Sequence, residues 1–197
     1  YMISSISILI SVAFYTILER KMLSYIQIRK GPNKVGFLGI LQPFSDAIKL
    51  FNKNLITSET TNFSMMYLTP ALSLLISILI IPIIPFNNYP MFDNKHSILL
   101  FFILSSMSVY SILMIGWVAN SKYCHLGAIR SVAQMISYEV SFFLIILFIV
   151  ILSNSYLLTQ ISESQTTMYF FWGNYIMFMI WFISCLAETN RSPFDFA

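Results

Sequence analysis

Five stretches of the chain are apolar for long enough to cross the hydrocarbon core of a bilayer, which takes about 20 residues of helix. They are residues 1–18, 65–86, 98–118, 131–152 and 168–187. The second carries Pro70, Pro82 and Pro85, so its ends are expected to kink or fray. The fourth is apolar apart from Glu139, and the fifth runs directly into Glu188. A sixth element has a different pattern: Leu41, Phe44, Ile48 and Phe51 recur at helical spacing, with Asp46, Lys49 and Lys53 elsewhere around the cylinder and Pro43 suited to a first turn. A short helix with one apolar stripe, about 41–53, is expected to lie in the membrane surface. A helix packed on a soluble domain is the alternative, but there is little soluble chain nearby to receive it. The predicted fold class is all-α: a polytopic transmembrane helix bundle with one interfacial amphipathic helix. It forms one membrane domain over residues 1–197 that ends in a charged loop, 188–197.

Composition agrees with that pattern. Hydrophobic residues make up 57% of the chain and charged residues 10%, with a mean hydropathy of +0.76, whereas soluble domains carry about a quarter charged residues. The charge also sets an expected orientation. With five spans, Arg20, Lys21, Arg29, Lys30, Lys34, Lys49, Lys53, Lys122, Arg130 and Arg191 share one side, and Lys95 alone faces the other. By the positive-inside rule the basic side faces the cytosol of a bacterium or the matrix of a mitochondrion. No charge precedes Glu19, so the first run reads as a retained helix rather than a cleaved leader. The bias of 30 Ile against 8 Ala fits AT-rich coding, as in many organelle genomes.

Several chemistries are not expected. Cys124 and Cys185 lie far apart without a CxxC pair, and His96 and His125 are the only histidines, so no zinc or iron–sulfur centre is built by this chain. The basic residues do not interleave with aromatics as a nucleic-acid groove requires. No Gly-rich nucleotide motif or nucleophile elbow is present.

The chemistry gathers in three segments. Glu19 and Arg20 follow the first apolar run directly and would sit at the rim of the membrane core. A carboxylate there needs a partner, and Gly31-Pro32-Asn33 is a turn signal that could return Arg29 toward it. Lys21, Lys30 and Lys34 equally suit interfacial anchors. A charged rim beside an amphipathic helix suits the mouth of a site for an amphiphile. In the second segment, a helix starting near Ser131 puts Glu139 about 12 Å along its axis at 1.5 Å per residue. Arg130, Gln134, Ser137 and Ser141 form a polar stripe on the other side of that helix. A carboxylate at depth must be paired, reached by water or protonated, which are the properties of a proton relay; a packing hydrogen bond is the alternative. In the third segment, Glu188, Arg191 and Asp195 interleave with Phe194 and Phe196 after the last span, in a pattern that also fits a solvated tail.

Taken in order, these segments resemble subunit 1 of NADH–quinone oxidoreductase, respiratory complex I. The residues that carry the resemblance are Glu19-Arg20-Lys21, Gln27 to Asn33, Leu41 to Phe51, Gly116-Trp117, Ala128 to Ser141 and Leu186 to Ala197. The resemblance implies a mitochondrial inner-membrane subunit that walls the ubiquinone chamber beneath the peripheral arm. By that resemblance Glu19, Arg20, Arg29, Asp46 and Lys49 lie at the quinone channel or its entrance. Glu139, Glu188 and Asp195, with Arg191 in the same loop, map onto the carboxylates that link quinone reduction to proton pumping. Ubiquinone is then the substrate of the whole complex, and electrons arrive from a cluster in a neighbouring subunit, so this chain holds no redox cofactor of its own. The family has about eight spans, so three more helices are expected from an unseen segment or a second polypeptide, in tight contact with this one. Membrane lipid and the peripheral-arm quinone-site subunits are the other implied partners. A secondary transporter or proton channel with a glutamate relay is the competing reading, but the two related halves common in transporters are not visible here. A purely structural scaffold would leave the clustered charges unexplained.

Overall fold

The computed structural model describes residues 2–54, 59–86, 93–190 and 194–195. Among them the regular structure is entirely helical: α1 (Met2–Ile26), α2 (Gln42–Phe51), α3 (Phe63–Ile80), α4 (Ser97–Val118), α5 (Lys122–Ser153), α6 (Leu158–Ser164), α7 (Phe170–Gly173) and α8 (Tyr175–Glu188), with 3-10 turns at Phe37–Gly39 and Ile81–Ile83. Four helices are long and apolar enough to cross a membrane: α1, α3 with its 3-10 extension, α4 and α5. The all-α membrane architecture predicted from the apolar runs is therefore the observed one. The chain forms two compact units, residues 1–56 and 57–197.

In the first unit α1 runs through both the apolar stretch and the charged Glu19-Arg20-Lys21 segment without a break. It ends in a tight turn in which the Arg29 N–H donates to the Ser24 carbonyl at 2.8 Å and Ile28 adopts a left-handed φ of 57°. A β-branched residue is strained in that region. Gly31, at φ 64°, then packs on Ser24, where a Cβ would lie 2.7 Å from the hydroxyl oxygen. Gly39 closes against the Pro32 carbonyl in the same way. The loop is thus folded back on α1 and delivers α2 beside it, with the Phe14 and Phe44 rings edge-to-face at 6.0 Å. Pro43 in the first turn of α2 supplies the fixed φ that a helix start favours. Ile48 and Phe51 of its apolar stripe stay exposed within the unit, as they would on a helix resting in an interface.

The second unit packs α3 on α4, α4 on α5 and α5 on α8. One core joins Ile98 and Phe102 of α4 to Phe142 and Val150 of α5 and Ile161 of α6, with Trp181 and Cys185 of α8 against it. A second joins Val109 of α4 to Val132 and Met135 of α5. Where α4 turns into α5, Gly116 is so close to Ala128 that any side chain would overlap the alanine methyl. Serine is frequent in these apolar helices, and its hydroxyls are absorbed locally. Ser105, Ser108 and Ser111 each donate to the carbonyl three residues back, so these three hydroxyls are not left as free donors in an apolar helix.

Two elements differ from the sequence expectation. The fourth run belongs to a helix that starts at Lys122 rather than Ser131, capped by the Ser121 hydroxyl, which accepts from the Cys124 N–H at 3.2 Å. At 32 residues, α5 is about 48 Å long at 1.5 Å per residue, well beyond a core about 30 Å thick. The fifth run is interrupted: α7 stops at Gly173, Asn174 takes φ −134° and ψ 48°, and α8 restarts with 14 residues. An asparagine in that conformation cannot continue a helix, and its N–H turns back to the Phe170 carbonyl.

Candidate functional site

The first cluster lies between α1 and α2. Arg20, in the last third of α1, reaches Asp46 with Nη1 3.1 Å from Oδ2. Gln42, one turn before Asp46 on α2, donates from Nε2 to the other carboxylate oxygen, Oδ1, at 2.9 Å. Both oxygens are therefore occupied, and the Gln42 amide followed by the Arg20 guanidinium holds the Asp46 carboxyl below the usual carboxylate range. The pair is half exposed, so the lowered value reflects oriented donors rather than burial. Lys49 stands one turn further along α2 and is exposed, as is Arg29 in the turn after α1. Glu19 is half-buried beside Arg20 in sequence. The turn at 31–33 does fold back, as its residues predicted, but it packs on Ser24. Across this loop Arg20 reaches Asp46.

The second cluster lies between α5 and α8. Gln134, 8% exposed, donates one Nε2 hydrogen to the Ala187 carbonyl in the last turn of α8 at 2.9 Å and the other to the Phe194 carbonyl at 3.0 Å. Because both partners are acceptors, the orientation of the amide is fixed. Its Oε1, buried, has no partner among the described residues, and the same holds for Oδ1 of Asn190. One turn along α5, the Tyr138 ring meets the Phe194 ring at 5.6 Å and 61°. Glu139 and Glu188, both half-buried, are near enough for their charges to interact. Glu188 also closes α8, at the end where the helix dipole favours a cation. Asp195 is exposed, and Arg191 lies outside the described residues.

The acids and bases of both clusters stand out in the sequence and Gln134 stands out as one member of a polar stripe, but the bonds made by Gln42 and Gln134 do not. Each had a signal: Gln42 precedes Asp46 by four residues, the spacing at which helix side chains meet, and Gln134 belongs to the polar stripe of α5. Of that stripe only Gln134 is buried, bonded to α8, whereas Arg130 and Ser137 are exposed.

Long apolar helices that carry few ionisable groups define a polytopic helical membrane protein. The comparisons then specify it. The sequence profile of the NADH dehydrogenase family matches residues 1–197. The NADH-ubiquinone oxidoreductase chain 1 of Aedes aegypti is 46% identical over 192 residues, 98% of this chain and 61% of that protein. The protein of the same description from Heterololigo bleekeri is 45% identical over 196 residues, 99% of this chain and 62% of that protein. That of Paracentrotus lividus is 47% identical over 190 residues, 96% and 58% of the two chains. The chain belongs to the NADH dehydrogenase family, and it spans about three fifths of the length of these relatives.

Proposed function

We propose that this chain is the part of a subunit 1 of NADH:ubiquinone oxidoreductase that frames the quinone entrance and carries carboxylates coupling quinone reduction to proton pumping. The observation that carries the reading is the match to NADH-ubiquinone oxidoreductase chain 1 along nearly the whole chain. The geometry of the two clusters supports it. A quinone is an amphiphile, with an apolar tail and a head that gains two electrons and two protons on reduction. It needs an apolar approach that ends at polar groups. The rim of Arg20, Asp46 and Lys49, with Arg29 and Glu19 in the adjoining segments and the exposed apolar residues Ile48 and Phe51 on the same helix as Asp46, is such an approach. The oriented Arg20–Asp46–Gln42 network keeps Asp46 charged, so the rim offers fixed polarity to the head group and no proton at neutral pH.

Glu139, Glu188 and Asp195, with Arg191, form the coupling set. Glu139 on α5 and Glu188 at the end of α8 belong to two helices packed on each other, so a change of charge near this helix pair acts on both. A redox event that alters local charge is thereby converted into proton movement. This chain supplies the wall and the proton groups, while the electrons come from a redox group in a neighbouring subunit. Its partners are the other subunits of the complex, those of the peripheral arm among them, the segment or polypeptide that supplies the remaining helices, and membrane lipid. The protein sits in the mitochondrial inner membrane with its basic loops on the matrix side. The entrance is tested by Asp46→Asn and Arg29→Ala in the assembled enzyme. The expected result is a several-fold rise in KM for quinone with NADH oxidation by soluble acceptors unchanged. Unaltered quinone kinetics in both variants would remove these residues from the entrance.

A further inference from the structure

Two side chains one turn apart on α5 hold the same residue of the segment that follows α8. Gln134 donates to the Phe194 carbonyl at 3.0 Å, and the Tyr138 ring meets the Phe194 ring edge-on at 5.6 Å. The spacing of four residues stacks Gln134 and Tyr138 on one face of α5, so backbone and ring are gripped together. The second N–H of the same buried amide goes to the Ala187 carbonyl at 2.9 Å, one of the last-turn carbonyls that a helix cannot satisfy by itself. One glutamine therefore ties α5, the end of α8 and the following segment to each other.

The sequence positions of the gripped residues give this arrangement its meaning. Tyr138 directly precedes Glu139, Ala187 directly precedes Glu188, and Phe194 directly precedes Asp195. Each contact is thus made by the chain neighbour of one carboxylate. The near-isosteric residues could not do the same at position 134. Asparagine is one methylene short, leucine donates nothing, and glutamate would set an acceptor against two carbonyls. Burial makes the bonds stronger and prevents water from replacing them. The orphaned Oε1 of Gln134 remains available to a further donor in this cluster.

We infer that Gln134, Tyr138 and Phe194 form a latch that sets Glu139, Glu188 and Asp195 in register for proton transfer. Gln134 acts as a positioning residue and needs no contact with quinone. The inference rests on the coupling role given to those carboxylates above.

The test uses the assembled oxidoreductase carrying Gln134→Leu or Phe194→Ala, with all rates normalised to assembled enzyme. Hydrogen–deuterium exchange of the peptide covering residues 188–197 should be about tenfold faster or more in Gln134→Leu, because two buried donors are lost. It should be faster by a smaller factor in Phe194→Ala, which keeps the carbonyl and loses the ring. In both variants the solvent deuterium isotope effect on quinone turnover should rise, since proton transfer through displaced carboxylates becomes rate-limiting. A fold defect alone would lower the amount of enzyme and leave that isotope effect in place. Unchanged exchange in both variants overturns the latch, and faster exchange with an unchanged isotope effect overturns its positioning role. Should Gln134→Leu fail to assemble, Phe194→Ala decides by the same two readouts. Failure of the quinone reading would show elsewhere, as normal turnover and pumping in Glu139→Gln, and would leave the exchange result standing.

Discussion

Asp46 has its two oxygens assigned to different donors, Gln42 on its own helix and Arg20 on α1. The hydrogen bond from the Gln42 amide is the largest single cause holding the carboxyl down, followed by the hydrogen bond from the Arg20 guanidinium; at an exposed site oriented hydrogen bonds outlast screened charge. The consequence for stability has a definite sign. A carboxyl with a lowered value in the folded state stabilises that state fully above its unfolded value of 3.8. The contribution is lost as pH falls through the lower folded value. A carbon-13 titration of the Asp46 carboxyl should give a midpoint below 3.8, and Gln42→Ala should move it back up. A midpoint at or above the ordinary value would contradict the network. At this scale the sequence exposed the charged residues but not their pairing. Arg20 and Asp46 are 26 positions apart, and nothing in either local segment says which base meets which acid. Gln134 is visible there only as part of a polar stripe and Gln42 not at all, because a neutral amide in an apolar chain resembles filler until its partners are known.

The helices were the most legible elements, because crossing hydrocarbon requires length and apolarity at once and few other structures require both. The ends were less so. The start of α5 was placed late because Lys122, His125 and Arg130 make residues 122–130 look like a loop, whereas they are compatible with helix and Ser121 caps them. The break at Asn174 was hidden inside a run of aromatics that reads as a continuous span. The tightest element contact, Gly116 against Ala128 at the α4–α5 turn, predicts that Gly116→Val forces the two helices apart. The expected cost is about 1–3 kcal/mol, as for overpacking generally, and it is measured as a lowered midpoint for thermal disassembly. A midpoint equal to wild type would mean that α4 and α5 do not approach there.

Across the whole molecule, apolar side chains remain exposed along most of α1, among them Ile3, Leu9, Val12 and Leu18. A soluble protein would not leave such a surface open, whereas lipid and further helices would both cover it. Charged residues are few by contrast, and Glu139 lies well inside α5 rather than at its end. In the function proposed above, Glu139 and the acids near it convert quinone reduction into proton movement. The most direct measurement is made on assembled enzyme carrying Glu139→Gln in sealed vesicles, where NADH:quinone turnover and proton uptake are recorded together. An essential proton-transfer group lost at this site should lower coupled turnover by about tenfold or more, with proton translocation falling at least as far. Wild-type turnover accompanied by the wild-type number of protons per NADH would contradict the claim.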